Sequence, residues 1–257
     1  MKAAAFDMVR PAALADAESL LAQPNSSALA GGQSLGPMLN LRLARPALLV
    51  PIAHLAVLRE VSETASSVTI GACVTHATIA DGGVPDIGLD VLARVAEGIA
   101  YRAVRTRGTI GGSLCHADPA ADWVTVLTAL GADALTSGGR AVPMREFIRG
   151  AFRTALTPGE LLCAVRIPKL SPSVRWGYVK ACRKPGEFAH AMAAVLVDFD
   201  VTRAVIGAIG GAPLVLEGAA VTHAPDLPGL DAIDAQMQRI ILGRAMAQAG
   251  LQSADLV

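Results

Sequence analysis

Short apolar segments typical of strands alternate with segments of helical periodicity, and this alternation limits the fold more than any other feature. In the first third of the chain, the helical residues are Leu14, Ala17, Leu20 and Leu21, and the strand candidates are Ser27–Ala30, Leu48–Ile52 and Val68–Gly71. Strands mixed with helices in this irregular order predict an α+β fold.

The rest of the chain continues the alternation. Asp118 followed by Pro119 is typical of a helix N-terminus, which predicts a helix over Ala120–Leu130 that ends at Gly131. Another helix is marked by Val91, Leu92, Val95 and Ile99, and a last one begins near Asp231 with Ile233, Met237, Ile240 and Ile241 on one side. Further strands are predicted at Ala134–Thr136, Ala141–Pro143, Leu161–Ile167, Val174–Lys180, Met192–Val197 and Ala204–Ile209.

The segment from Pro168 to Pro172 is the best candidate for a linker between domains. It divides the chain into an α+β unit at 1–170 and a smaller unit of sheet followed by helix at 173–257. The larger unit divides further into lobes of about 1–55 and 56–170. The short segment between Ala220 and Asp231 leaves little room for additional structure in the smaller unit.

Charge and hydropathy exclude several classes of protein. Lysine plus arginine and aspartate plus glutamate both number 22, so the chain lacks the basic excess that nucleic-acid binding needs. Charged residues interrupt the N-terminus at Asp7 and Arg10, which is unlike a signal peptide. Apolar stretches such as Ala204–Leu216 are too short to span a bilayer. We therefore expect a cytoplasmic protein without membrane insertion, and the 53% of hydrophobic residues predicts buried subunit contacts.

No residue set in the sequence predicts a metal site. The four cysteines are far apart, whereas iron–sulfur clusters and structural zinc need closely spaced thiolates. His116, Asp118 and Asp122 lie close together but do not form a zinc or iron motif. The other histidines, His54, His76, His190 and His223, are scattered and are interpreted as surface or hydrogen-bonded residues.

Two short loops carry paired glycines followed by a small hydroxyl residue. They are Ala30-Gly31-Gly32-Gln33-Ser34 and Thr109-Ile110-Gly111-Gly112-Ser113. Glycine allows positive φ and close approach, so consecutive N–H groups can form a concave anion-binding nest. Two such loops could hold one diphosphate from both sides. A glycine pair by itself is more often only a turn, and this reading of each loop stays open.

The loops fit none of the common nucleotide motifs. The chain contains neither a Gly-x-Gly-x-x-Gly segment opening a βαβ unit nor a Gly-x-x-x-x-Gly-Lys segment. Nucleophilic catalysis is not indicated either, because the chain has no Gly-x-Ser-x-Gly and no His–acid partnership for Ser34 or Ser113. The sequence therefore predicts no catalytic side chain.

The longer segments around these loops resemble a known family. They read AGGQSLGPMLNLRLARP (Ala30–Pro46), IGACVTHATIA (Ile70–Ala80), RTRGTIGGSLCHADPAADW (Arg105–Trp123) and YVKACRKPGEFA (Tyr178–Ala189). All four are similar to segments of the flavoprotein subunits in the xanthine dehydrogenase and carbon monoxide dehydrogenase families. The resemblance covers most of residues 1–216.

The resemblance implies a two-lobed FAD-binding domain of the PCMH type, like that of vanillyl-alcohol oxidase. A small C-terminal domain of the carbon monoxide dehydrogenase flavoprotein type follows it. It also implies a medium subunit that works with a large molybdopterin subunit and a small subunit holding two [2Fe–2S] clusters, in a dimer of heterotrimers. Electrons would pass from molybdenum through the clusters to FAD and then to an external acceptor.

Matching the family motifs position by position implies a set of FAD-binding residues. They are Ala30, Gly31, Gly32, Gln33, Ser34, Leu35, Thr109, Ile110, Gly111, Gly112, Ser113, Asp122, Leu162, Tyr178 and Lys180. By resemblance, Asp122 lies at the ribose or adenine side and Lys180 near the flavin pyrimidine ring, where a cation favours the reduced flavin anion. The same resemblance implies that Tyr178 lies against the isoalloxazine face and that Leu162 packs near the adenine or the ring.

The sequence departs from the family pattern at Gly36, Asn40 and Cys115, and its C-terminal region is short. Two other functions remain open at this point. One is a stand-alone FAD-dependent oxidoreductase, and the other is a non-catalytic nucleotide-binding scaffold.

Overall fold

The structure, a computed structural model, describes residues 2–252. The N-terminal part contains a three-stranded parallel sheet in the order β1-β3-β2. Its elements are β1 (Asp7–Met8), α1 (Leu14–Leu21), β2 (Ser26–Leu29), α2 (Leu35–Asn40) and β3 (Leu48–Pro51). Val50 on the central strand and Ala17 on α1 are fully buried in the same apolar cluster, so α1 covers one face of this sheet.

A five-stranded antiparallel sheet in the order β4-β5-β10-β6-β7 follows. The elements of this part are β4 (Val61–Glu63), β5 (Ser67–Gly71), α3 (His76–Ala80), α4 (Val91–Glu97), α5 (Arg102–Arg105), α6 (Ile110–His116), α7 (Asp122–Ala129), β6 (Asp133–Thr136), β7 (Ala141–Pro143), α8 (Met144–Phe147), β8 (Ile148–Gly150), β9 (Arg153–Thr154) and β10 (Leu162–Pro168). Val165 and Ile167 alternate with exposed Arg166 along β10, which places one face of the sheet against a core that includes Trp123 and Phe147.

The C-terminal part is a four-stranded antiparallel sheet with strands in chain order and one long helix. Its elements are β11 (Arg175–Ala181), β12 (Ala191–Val197), β13 (Thr202–Gly207), β14 (Leu214–Glu217) and α9 (Ala232–Gln248). Every residue of β12 is buried, because α9 packs on one face of the sheet and α7 reaches the other. The α9 backbone approaches so closely that a Cβ on Gly177 would lie 1.9 Å from the carbonyl oxygen of Ala245.

The predicted α+β class is confirmed, and most predicted strands agree with the observed ones to within two residues. The start of the helix at α7 was predicted wrongly. Asp118 accepts the N–H of Ala120 at 2.9 Å and Ala121 N–H bonds to the Asp118 carbonyl, so Asp118 closes a turn. The helix begins at Asp122, after this turn, and ends beside Gly131, whose φ is 70°.

The apolar face predicted for the last helix was partly wrong, because Ile241 and Met237 join the core as predicted but the other two residues do not. Ile233 is 76% exposed and Ile240 is 43% exposed, whereas the buried side of α9 carries Ile241 with Ala245 and Gln238. The sheet selects this side because small residues let the helix approach Gly177. Residues 253–257 of the predicted C-terminal unit lie outside the described residues. Within residues 2–252, no helix combines the length and apolar character that crossing a bilayer requires.

Candidate functional site

A cavity of about 810 Å³ opens where the two sheets of the N-terminal part meet. Both glycine-pair loops line it: the first connects β2 to α2, and the second leads into α6. The volume falls within the range of about 300–1,000 Å³ that is usual for cofactor and small-molecule sites. The structure therefore brings the two loops to one site although they are far apart in the sequence.

The first loop touches the segment just before the second loop through Gly31. A Cβ on Gly31 would lie 2.0 Å from the carbonyl oxygen of Arg107 and 2.9 Å from the Cα of Gly108. No side chain fits at this point, so the backbone of the first loop rests against the segment that precedes the second loop. This contact sets the spacing of the loops across the cavity.

The first loop has the geometry of an anion-binding nest. Gly32 has a φ of 70°, and the side chain of Gln33 donates to the carbonyl oxygen of Gly31 at 3.1 Å. Within residues 2–252, the backbone N–H groups of Gly32, Gln33 and Ser34 have no acceptor. Consecutive free amides facing a cavity are suited to a phosphate group.

The second loop is built differently from the expected nest. The N–H groups of Ile110 and Gly111 donate to the carbonyl oxygens of Val74 and Ala72, at 3.1 and 2.9 Å. Those of Gly112 and Ser113 donate to the side chain and the carbonyl of Thr109. Its amides are therefore already bonded, and the groups that it can offer a ligand are the hydroxyls of Thr109 and Ser113, which line the cavity.

An ion pair lies at the edge of the cavity. Asp122, at the start of α7, lines the cavity and accepts at Oδ1 from Lys180 Nζ at 2.7 Å and from the Tyr178 hydroxyl at 2.8 Å. Lys180 Nζ also donates to the carbonyl oxygen of Gly98 at 2.8 Å. Burial, and next the charge of Asp122, raises the pKa of Tyr178 well above its usual range, so the phenol stays a hydrogen donor.

The structure brings together most of the residues predicted from the sequence. Twelve of them line the cavity: Ala30, Gly31, Gly32, Gln33, Ser34, Leu35, Thr109, Gly111, Gly112, Ser113, Asp122 and Leu162. Ile110 is instead fully buried in the core, and Tyr178 and Lys180 contact Asp122 at the edge of the cavity rather than lining it. The resemblance had placed Asp122 at the ribose or adenine side and Lys180 near the flavin ring. Because the two side chains are in contact, they cannot serve opposite ends of an extended FAD.

Some lining residues were not predicted as ligands. Tyr101 and Phe188 line the cavity although 60% and 59% of their surfaces are exposed, and His76 lines it although it is 5% exposed. His76 and Phe188 fall within the segments that carry the family resemblance, which is the signal that could have identified them.

Comparison with known proteins gives concordant matches. Residues 4–170 match the model described as the FAD binding domain in molybdopterin dehydrogenase. The chain is 36% identical to caffeine dehydrogenase subunit beta of Pseudomonas sp. (strain CBB1), over 83% of this chain and 76% of the relative. It is also 36% identical to the carbon monoxide dehydrogenase medium chain of Afipia carboxidovorans, over 88% of this chain and 83% of the relative.

Among solved structures, the reconstituted CO dehydrogenase from Oligotropha carboxidovorans is similar along nearly its whole chain. The TM-score is 0.86 at 30% sequence identity, with 97% of this chain and 99% of that chain covered. A match at this level extends beyond residue 170, so the C-terminal sheet and helix belong to the same two-domain architecture.

Proposed function

The chain belongs to the family of FAD-binding domains of molybdopterin dehydrogenases, and from this membership we propose that it carries electrons from [2Fe–2S] clusters in a partner subunit to an external acceptor. The family, the two-domain FAD-binding fold and FAD as the cofactor were expected from the sequence motifs and are confirmed by the matches. The chain is the medium, FAD-binding subunit of an oxidoreductase complex, with large and small subunits as partners.

One observation carries the assignment of the FAD site. Gly32, Gln33 and Ser34 line a cavity whose volume suits a dinucleotide cofactor, and their backbone amides have no acceptor among residues 2–252. We assign the diphosphate of FAD to this nest, with the hydroxyls of Thr109 and Ser113 on its other side. The bound FAD supplies two-electron redox chemistry, and the protein residues bind it, orient it and adjust its electrostatic surroundings.

We propose an orientation for FAD from the residues at one end of the cavity. Tyr101, Phe188 and Asp122 lie at the end nearest the C-terminal sheet, since Gly186 packs against the carbonyl of Ala100 and Lys180 reaches Asp122. Aromatic side chains favour the isoalloxazine ring at this end. We therefore place Asp122 at the flavin end rather than at the ribose or adenine.

Within this orientation, Lys180 acts on the flavin as half of an ion pair. The carboxylate of Asp122 compensates its charge, so the pair is nearly neutral at the edge of the cavity. The variant Lys180→Met leaves a carboxylate near the ring without its partner, which should lower the flavin reduction potential. The double variant Lys180→Met with Asp122→Asn should restore most of the potential, and an unchanged potential in the single variant contradicts this placement.

The remaining features stay proposals. We propose an FAD-binding domain at 1–170 and a C-terminal domain at 173–257, and the family match over residues 4–170 supports this division. A dimer of heterotrimers with one molybdopterin cofactor and two [2Fe–2S] clusters in the partners of each chain is the proposed assembly. A cytoplasmic location is proposed with it.

The first experiment is an absorption spectrum and metal analysis of the complex purified through a tag on this chain from its native host. We expect flavin close to one per chain, together with molybdenum and iron. Flavin without either metal would favour a stand-alone flavoprotein instead. Absence of flavin from the intact complex would contradict the proposed function.

A further inference from the structure

His76 places a buried imidazole directly beneath the second loop. It is the first residue of α3, and its backbone N–H donates to the carbonyl oxygen of Gly108 at 2.9 Å. A Cβ on Gly108 would lie 2.9 Å from Cδ2 and 3.2 Å from Nε2 of the ring, so the imidazole packs against the Cα of this glycine. The ring therefore lies next to the point where the first loop rests on the segment before the second loop.

A neighbouring indole determines which ring nitrogen carries the proton. Nε1 of Trp123 lies 3.1 Å from Nδ1 of His76. An indole N–H can only donate, so Nδ1 is the acceptor and the proton of the neutral ring is on Nε2. Burial, and next the charge of Arg105, lowers the pKa of His76 to about 4, so the ring is neutral near pH 7.

The Nε2 atom is the part of this ring that has no partner. No acceptor for the Nε2 hydrogen lies among residues 2–252, and Nε2 is not among the unpaired polar atoms that are completely shielded from solvent. Only 5% of the surface of His76 is exposed, and the residue lines the cavity. An unpaired donor at a nearly buried position is costly unless a bound molecule accepts its hydrogen bond.

We propose that His76 is an FAD-positioning residue whose Nε2–H donates to an oxygen of the FAD diphosphate bound between the two loops. This assignment rests on the proposed function. The location favours the diphosphate over the ring or the adenine, because His76 lies where Gly31 of the first loop meets Gly108 before the second. A neutral imidazole adds direction to this contact, while the nest of the first loop supplies most of the donors.

Two substitutions separate the roles of the ring nitrogens. In His76→Gln the amide nitrogen can replace Nε2 as a donor, whereas in His76→Asn the shorter amide falls near the Nδ1 position and leaves Nε2 unreplaced. The measurement is the dissociation constant of FAD for the full-length apoprotein, from quenching of flavin fluorescence. We expect about a tenfold loss of affinity in His76→Asn, as for one neutral hydrogen bond, and about threefold or less in His76→Gln.

Equal losses in the two variants would overturn the assignment, because a purely structural role does not depend on which nitrogen is replaced. Riboflavin, which lacks the diphosphate, serves as a second probe. Its affinity should be the same in His76→Asn and the wild type. A tenfold loss for riboflavin as well would show that the contact is not with the diphosphate and would also overturn it.

Trp123→Phe provides a test that does not alter the proposed contact itself. Without the indole donor, the proton of the His76 ring can move from Nε2 to Nδ1. FAD affinity should therefore fall severalfold when Trp123→Phe is made in the protein that keeps His76. In the His76→Asn background the same change should have no further effect on FAD affinity, since the coupled contact is already absent. Equal effects in both backgrounds would contradict the proposal.

The outcomes also distinguish this inference from the function on which it rests. A wild-type chain that binds no FAD would contradict the proposed function. A wild-type chain that binds FAD tightly, with His76→Asn binding it equally well, would overturn only the role of His76. Thermal unfolding of each ligand-free variant shows whether the comparison is between folded proteins.

Discussion

The two glycine-pair loops look alike in sequence and are built on different physical principles. In the first, the amides of Gly32, Gln33 and Ser34 have no acceptor within residues 2–252, and Gly32 lies in the left-handed region at a φ of 70°. In the second, all the amides from 110 to 113 have acceptors, and neither Gly111 nor Gly112 has positive φ. The first loop is a donor surface, and the second is a well-bonded support.

The glycines are needed for correspondingly different reasons. In the first loop, Gly31 allows contact with the backbone of Arg107, and Gly32 allows the turn that frees the amides. In the second loop, a Cβ on Gly111 would lie 2.4 Å from the Cβ of Ala72, so this glycine lets α6 pack tightly on the end of β5. A glycine pair in a sequence states only that a side chain is excluded, and the surrounding structure decides why.

The largest expected effect comes from blocking the contact between Gly31 and the backbone of Arg107. Gly31→Ala places a methyl group against backbone that cannot move aside, at a cost of about 3 kcal/mol, or roughly a hundredfold in FAD affinity. Gly36→Ala is the matched control, because a Cβ there meets nothing within 4 Å. Flavin titration of both variants checks this, and wild-type affinity in Gly31→Ala would disprove the direct contact.

The second effect concerns His76, which packs against Gly108 before the second loop, and it depends on pH. The pKa of His76 is lowered from 6.5 to about 4, so the unfolded chain binds a proton in this range that the folded chain does not. The contribution of the neutral His76 ring to stability should be fully present above pH 6.5 and should be lost as the pH decreases to about 4. The free energy of unfolding should then fall by about 3 kcal/mol at most.

Urea unfolding of the ligand-free chain across this range measures the slope. The variant His76→Gln, which cannot be protonated here, should show a shallower dependence than the wild type, although the carboxylates contribute equally to both. Parallel curves for the two proteins would contradict the lowered pKa.

A smaller effect is expected from the backbone conformation of the first loop. Gly32→Ala forces a Cβ into the left-handed region, which costs roughly 1–2 kcal/mol, whereas Gly32→Asn should cost less because asparagine adopts this region more readily. Both variants should bind FAD more weakly than wild type, and the alanine variant should bind it more weakly than the asparagine variant. The reverse order, measured by flavin titration, would mean that space around Gly32 matters more than its φ.

The smallest effect separates the hydroxyl residues of the two loops. Thr109 Oγ1 accepts from the N–H of Gly112 at 3.0 Å and caps α6, whereas Ser34 makes no such bond at the start of α2. Thr109→Val should therefore lower the free energy of unfolding by about 1 kcal/mol, and Ser34→Ala should leave it nearly unchanged. Chemical unfolding without FAD tests this, and similar losses in both variants would remove the distinction.

Local patterns predicted much of the secondary structure because they depend on neighbouring residues. Strands such as β3 and β7, and a last helix that begins near Asp231, were predicted from apolar runs and helical periodicity. The pattern failed where packing decided. Apolar residues on both sides of α9 offered two faces, and the sheet selected the one that carries Gln238 and Ala245 over the one that carries Ile233.

By itself, the sequence determined the α+β class, the positions of the two loops and the family, because these reside in short segments that can be read one at a time. Only the tertiary structure decided which amides remain free, since that depends on whether Ala72 and Val74 lie within reach of a loop. It also brought Lys180 to Asp122 across 58 positions of the chain. Residue spacing encodes the contacts of a helix turn or a short hairpin such as β6–β7, whereas a contact at that distance exists only because α7 and β11 pack in the same core.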